Sequence, residues 1–173
     1  MIQHQHGNHV AQKIIDVLPR KELDFVMDCM RGQMAHFSAQ QCACRVVQKM
    51  LHKGTDQDKK DIFNELYPEA TNLASGQYGN YVTQALLEVA TPEDRDRLIR
   101  LIIPLALSLS KQQSASNVVE KCIFYGSPEH RQMLRLKFTS PGEDGRPELV
   151  SMMMNQFANY TIRMSLSHLH LSP

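Results

Sequence analysis

HQHGNHVAQ, residues 4–12, returns four more times: as QQCACRVVQ at 40–48, GQYGNYVTQ at 76–84, QQSASNVVE at 112–120 and NQFANYTIR at 155–163. The offsets are 36, 36, 36 and 43 residues, and the longest absorbs seven extra residues in the turn-rich TSPGEDGRPEL, 139–149. A fixed period of this size marks a repeat array in which neighbouring units bury a continuous core. Taken alone, His4, His6 and His9 look like a metal box. The columns argue otherwise, because His6 aligns with Cys42, Tyr78, Ser114 and Phe157, and His4 with Gln40, Gly76, Gln112 and Asn155. The slot serves something all five repeats do, so no metal site is expected; histidine ligation is a minor alternative confined to the first repeat.

Other columns keep the period. Val26, Ile62, Leu98 and Leu134 form one, and Met30, Leu66, Ile102 and Phe138 another four residues on, as on the buried face of a helix. Thr55, Thr91 and Ser127 stand where that helix starts, followed in two cases by Pro92-Glu93 and Pro128-Glu129; a hydroxyl cap, proline and an acid in the first turn are start signals. Phe37, Leu73, Leu109 and Met152 mark a shorter helix before each motif. Each unit therefore reads as short helix, motif helix, capped helix. The expected fold class is an all-α solenoid of three-helix repeats.

The bulk numbers are compatible with this. The chain has 173 residues, 42% of them hydrophobic, enough for one domain with a sizeable core. Its net charge is only +1, so charge alone gives no reason to expect a polyanion partner. MIQHQHGN lacks the pattern of a signal peptide, and LIRLIIPLALSL is too short and too interrupted to span a bilayer, so neither leader nor membrane partner is expected. Four cysteines (Cys29, Cys42, Cys44, Cys122) without framework spacing suit a reduced, intracellular protein. Neither a catalytic motif nor a phosphate loop is present, which argues against an enzyme, a small-molecule substrate or a cofactor.

Within the nine-residue slot, positions five, six and nine are Asn8-His9-Gln12, Cys44-Arg45-Gln48, Asn80-Tyr81-Gln84, Ser116-Asn117-Glu120 and Asn159-Tyr160-Arg163. On a helix these lie on one side. Position four is always small, position two always glutamine, and position seven is Val10, Val46, Val82, Val118 or Thr161, expected to face the core. Freely drifting surface residues would not keep so narrow a chemical set. An Asn and Gln ladder along the array would not explain the His, Arg and Tyr between them. Flat side chains stack on bases, and the flanking groups match base edges. An amide pair offers donors and acceptors to uracil; Glu120 accepts from guanine's two adjacent donors; Gln48 satisfies adenine while Cys44 makes room.

GNHVAQK, ACRVVQK, YGNYVTQ, ASNVVEK and FANYTIR closely resemble the recognition helices of Pumilio (PUF) repeats. The order of triplets is similar to that of the last five of the family's eight repeats, including a longer insertion before the final one. The resemblance implies a right-handed α-solenoid, here a partial array: a partial repeat at 1–32, repeats at 33–68, 69–104 and 105–147 (the last with the insertion), and a truncated repeat at 148–173. It also implies single-stranded RNA on the concave face, antiparallel to the protein, in mRNA 3′ untranslated regions. Repression or decay of the message through effector proteins on the convex face, in the cytoplasm, is implied in the same way. The RNA-binding residues are then the fifteen of the triplets, and Lys13, Lys49 and Lys121 are expected near phosphates.

Two departures from the family pattern matter: the array starts inside a repeat and ends soon after the last motif helix, and Arg163 and Thr161 replace Gln and Val. Ile14, Ile15, Ile162 and Leu166 are accordingly expected to lack full cover. The competing readings are a protein-binding HEAT or armadillo array, and a nucleolar PUF-like factor of ribosome biogenesis.

Overall fold

In each repeat the chain turns into its motif helix by the same step: the backbone N–H of slot position five donates to the carbonyl of position one. The distances are 3.0 Å for Asn8 to His4, 3.0 Å for Cys44 to Gln40, 3.2 Å for Asn80 to Gly76, 3.0 Å for Ser116 to Gln112 and 3.2 Å for Asn159 to Asn155. The computed structural model describes residues 2–169, and side chains through 167. It divides into two compact units, Met1–Thr91 and Pro92–Pro173. The first holds α1 (Gly7–Val17), α2 (Asp24–Met30), α3 (Met34–Ser38), α4 (Ala43–Lys53), α5 (Asp56–Leu66), α6 (Ala70–Ser75) and α7 (Gly79–Val89). The second holds α8 (Pro92–Ile102), α9 (Ala106–Ser110), α10 (Ser116–Tyr125), α11 (Pro128–Thr139), α12 (Glu148–Met153) and α13 (Ala158–Leu169). Apart from one isolated bridge, Pro141 to Pro147, the regular structure of the described residues is helical.

The order short helix, motif helix, capped helix recurs within each unit, so the fold class is the expected all-α array of three-helix repeats. The motif helices are α1, α4, α7, α10 and α13. In the first unit α1 packs on α4 and α4 on α7; in the second α10 packs on α13. The periodic apolar columns are the core: Val26, Ile62, Leu98, Leu134 and Met30, Leu66, Ile102, Phe138 are all buried, as are Phe37, Leu73, Leu109 and Met152. Small residues at slot position four allow close approach. A methyl group on Gly79 would stand 2.7 Å from the Leu73 carbonyl oxygen of α6.

Two expectations about cover need correction. Val46, Val82, Val118 and Thr161 are fully buried, but Val10 is 55% exposed. In α1 this position faces solvent. Ile15 and Ile162 are buried and Ile14 half-buried, so of the four end residues only Leu166 is exposed.

The hydroxyl caps work through a partner that the sequence reading did not single out. Thr55 Oγ1 accepts from the Asp58 N–H at 3.2 Å, and Asp58 Oδ2 accepts from the Thr55 N–H at 2.7 Å. In α11 the reciprocal partner of Ser127 is His130, whose Nδ1 accepts from the Ser127 N–H at 3.1 Å while its Nε2 stands 2.9 Å from Asp96 Oδ1 of α8. The inserted segment after α11 folds back as a turn, with the Glu148 N–H bonded to the Ser140 carbonyl at 2.9 Å and Gly145 at φ +77°.

Asp58 also holds Arg20 through both carboxylate oxygens. The Arg20 guanidinium, and then the Thr55 donors, outweigh burial and hold the Asp58 carboxyl down at about 2, from an ordinary 3.8. A depressed carboxyl stabilises the fold above its unfolded value and loses that contribution as pH falls through its folded value. Stability should therefore drop by about 2 kcal/mol between roughly pH 4 and pH 2 from this group. In Asp58→Asn, denaturant titrations across that range should lack this limb, at the cost of lower stability at neutral pH; an unchanged acid limb would contradict the assignment. Thr161 gives a second test, because its Oγ1 is buried without a hydrogen-bond partner among the described residues. Thr161→Val should stabilise the chain by about 1–2 kcal/mol in chemical denaturation. A loss of stability would show that the hydroxyl is satisfied.

Candidate nucleic-acid interface

The turn that starts each motif helix also fixes the side chain at slot position five. Asn8 Nδ2 donates to the carbonyls of His4 at 3.0 Å and Gln5 at 2.7 Å. Asn80 Nδ2 donates to those of Gly76 and Gln77, both at 2.9 Å. Asn159 Nδ2 donates to Asn155 and Gln156, both at 3.1 Å. Two carbonyls can be met only by the amide nitrogen, so the orientation of all three asparagines is set. Cys44 Sγ and Ser116 Oγ make a single version of the contact, to Gln41 at 3.4 Å and Gln113 at 3.3 Å. The glutamine at slot position two thus supplies a backbone acceptor in every repeat. Its side chain is exposed in all five, and nothing in the structure explains its identity.

This anchoring changes the expected chemistry of the amide pairs. The pair is expected to offer donors and acceptors together, and here both N–H groups of the asparagine point at its own backbone. What remains is Oδ1, which accepts from Gln12 Nε2 at 2.9 Å in α1 and from Gln84 Nε2 at 3.0 Å in α7. Each pair still presents a free lone pair on Oδ1, one N–H of the glutamine and the glutamine Oε1. That is an acceptor for uracil N3–H beside a donor for a uracil carbonyl.

In α4, Gln48 Nε2 gives one hydrogen to the Cys44 carbonyl at 3.1 Å and keeps the other, with Oε1, for an adenine edge. Cys44 itself is buried, and burial pushes its thiol pKa up. In α10 the half-buried Glu120 has its carboxyl pKa raised by burial, and it has no hydrogen-bond partner among the described residues. An unpaired, partly desolvated acceptor is suited to two adjacent donors. Arg163 of α13 does not complete a pair with Asn159; its guanidinium carbon lies 5.9 Å from the Tyr160 ring centroid.

The intervening residues His9, Arg45, Tyr81, Asn117 and Tyr160 are all exposed. Within the first unit the Arg45 guanidinium lies over the Tyr81 ring at 4.9 Å, a cation–π contact that a stacking base would have to replace. The lysines behave differently from one another. Lys13 is exposed, Lys49 is bound to Asp16 at 2.5 Å and 2.6 Å, and Lys121 sits 5.3 Å from the Tyr125 ring. In the free chain Lys49 is thus held by a carboxylate. At the N-terminal slot, His4 Nδ1 accepts from the N–H groups of His6 at 3.3 Å and Gly7 at 3.4 Å, a local turn contact. Among the described residues no group of three or more His, Cys, Asp or Glu is placed to hold a metal ion, and no helix is long and apolar enough to cross a membrane.

Comparison with known proteins agrees with this geometry. The model of the Pumilio-family RNA binding repeat matches residues 1–29, 33–67, 70–103 and 106–135, well over half of the chain. The structure of PUF-8 in complex with PBE-RNA is similar with a TM-score of 0.87 and 27% identity, covering 96% of this chain and 49% of that one. The Puf3 RNA-binding domain bound to a Cox17 RNA 3′ UTR recognition sequence is similar with a TM-score of 0.86 and 34% identity, over 96% of this chain and 52% of that one. A Pumilio domain-containing protein of Schizosaccharomyces pombe is 27% identical over 77 residues, 44% of this chain and 11% of the relative. The chain thus spans about half the length of these solved domains and about a tenth of that curated relative. By its repeats, its helix order and its matched segments, the chain belongs to the Pumilio family of RNA-binding repeat proteins.

Proposed function

We propose that this chain binds single-stranded RNA sequence-specifically, reading 5′-(U/C)-G-U-A-U-3′ with one base per motif helix in reverse chain order. Ser116 and Glu120 read G, Asn80 and Gln84 read U, Cys44 and Gln48 read A, and Asn8 and Gln12 read the last U. Asn159 and Arg163 read the first base loosely: an arginine only donates, so it suits the two neighbouring acceptors of cytosine at least as well as uracil. The observation that carries the reading is the repeated anchoring of slot position five, one helical turn before a group at position nine that keeps hydrogen-bonding capacity. The chemistry of that second group differs between repeats while its position in the motif helix does not. PUF-8 and Puf3, bound to PBE-RNA and to a 3′ UTR recognition sequence in the structures above, support it by likeness. The biological setting we assign is the 3′ untranslated region of cytoplasmic mRNAs, with repression or decay through effector proteins.

Binding measured on a panel of five-nucleotide RNAs tests this directly. Replacing the G of UGUAU by A should cost about 1–3 kcal/mol, the worth of one good two-point base contact. In the double variant Ser116→Asn, Glu120→Gln the preference at that position should move from G to U, because amides replace an acceptor-only carboxylate. Equal affinity for all four bases in the unsubstituted chain, or retained G preference in the double variant, would refute the assignment.

A further inference from the structure

The base-reading side of α4 continues into a row of cations that the other motif helices lack. Arg45, Lys49 and Lys53 follow one another at i, i+4 and i+8, so they line one side of the helix, with His52 next to them. The matching positions are His9, Lys13 and Val17 on α1, Tyr81, Ala85 and Val89 on α7, and Asn117, Lys121 and Tyr125 on α10. In a chain with 19 basic and 18 acidic residues this is a local concentration of charge. With Gln12 and Gln48, these side chains border an open groove of about 400 Å³ between α1 and α4. One carboxylate enters the groove. Asp16 binds Lys49 Nζ at 2.5 Å and 2.6 Å, whereas Lys53 Nζ reaches only the Asp16 carbonyl oxygen, at 3.5 Å. Lys49 is neutralised in the free chain, and Lys53 is a cation without a carboxylate partner among the described residues.

We propose that this groove is a subsite for one backbone phosphate of the RNA, the phosphate joining the adenine read by α4 to the uracil read by α1. The inference rests on the base reading proposed above. A strand that places one base at Gln48 and the next at Gln12 carries its intervening phosphodiester past the groove these two glutamines border. The oxyanion meets Lys53 first and then competes with Asp16 for Lys49. Asp16 is thus a latch that weakens the subsite in the free chain. Charge-assisted hydrogen bonds of this kind are the stronger ones, and each phosphate neutralised also adds to the salt dependence of binding.

The test compares the unsubstituted chain, Lys53→Gln and Asp16→Asn on two RNAs. One is UGUAU with an ordinary backbone; the other carries a single uncharged methylphosphonate at the A–U linkage. The methylphosphonate should weaken the unsubstituted chain by about tenfold and Lys53→Gln by much less. Asp16→Asn should bind the ordinary RNA about threefold more tightly and gain nothing on the methylphosphonate RNA. These opposite directions separate the subsite from a loss of folding, which only weakens. An equal loss in all three proteins overturns the subsite, as does an equal loss when the methylphosphonate is moved to the G–U linkage. A groove that takes only a free anion would show no dependence on the linkage, and overturns it too. A chain that fails to distinguish UGUAU from UAUAU overturns the base reading itself, an outcome visible before any backbone is modified.

Discussion

The structure depends on one contact repeated along the chain: the side chain at slot position five bonded to the backbone that precedes its own helix. Asn8, Asn80 and Asn159 each satisfy two carbonyls, and Cys44 and Ser116 satisfy one. Those carbonyls belong to the tight turn that aims each motif helix. The same contact fixes which atom of the side chain faces outward. An asparagine held in this way can show only its oxygen, so the donor needed for a uracil must come from the glutamine one turn later. In the proposed reading, base preference is a property of a pair whose first member is locked by the fold and whose second remains adjustable. Preorganised partners of this kind lose less freedom on binding.

Burial acts on the same pairs. Cys44 is sunk beneath Gln48 and stays a neutral thiol, while Glu120 keeps a partly desolvated carboxyl facing outward. Desolvating a carboxylate is unfavourable unless donors meet it. Glu120 is thus a good receptor for two donors. The near-neutral net charge fits the proposed selection by edge chemistry, with a local row of positive charge on α4.

Much of this was legible in the sequence because a period is a strong signal. The 36-residue spacing, with one interval of 43, located all five motif helices, the capped helices and the apolar columns, and the triplets marked the exposed polar face. What it did not reveal involves contacts across repeats or with the backbone. Val10 belongs to a column of buried residues yet is exposed, a difference that its column does not show. Lys49 looks like a free cation until Asp16, 33 residues earlier, is brought beside it. The asparagine amides looked available for bases, but carbonyls leave no trace in a sequence and these occupy both donors. His130 as the capping partner of Ser127 was hidden because its position usually calls for a carboxylate or amide.

A crystal structure of this chain with UGUAU would show directly how the motif helices meet the bases. One base should lie on each motif helix with the strand antiparallel to the protein, and Asn8 and Asn80 should still hold their own backbone carbonyls. The glutamines at 12 and 84 should supply the donors to uracil. A complex in which the asparagine amides leave the backbone to donate to the bases, or in which the RNA lies away from the motif helices, would contradict this reading.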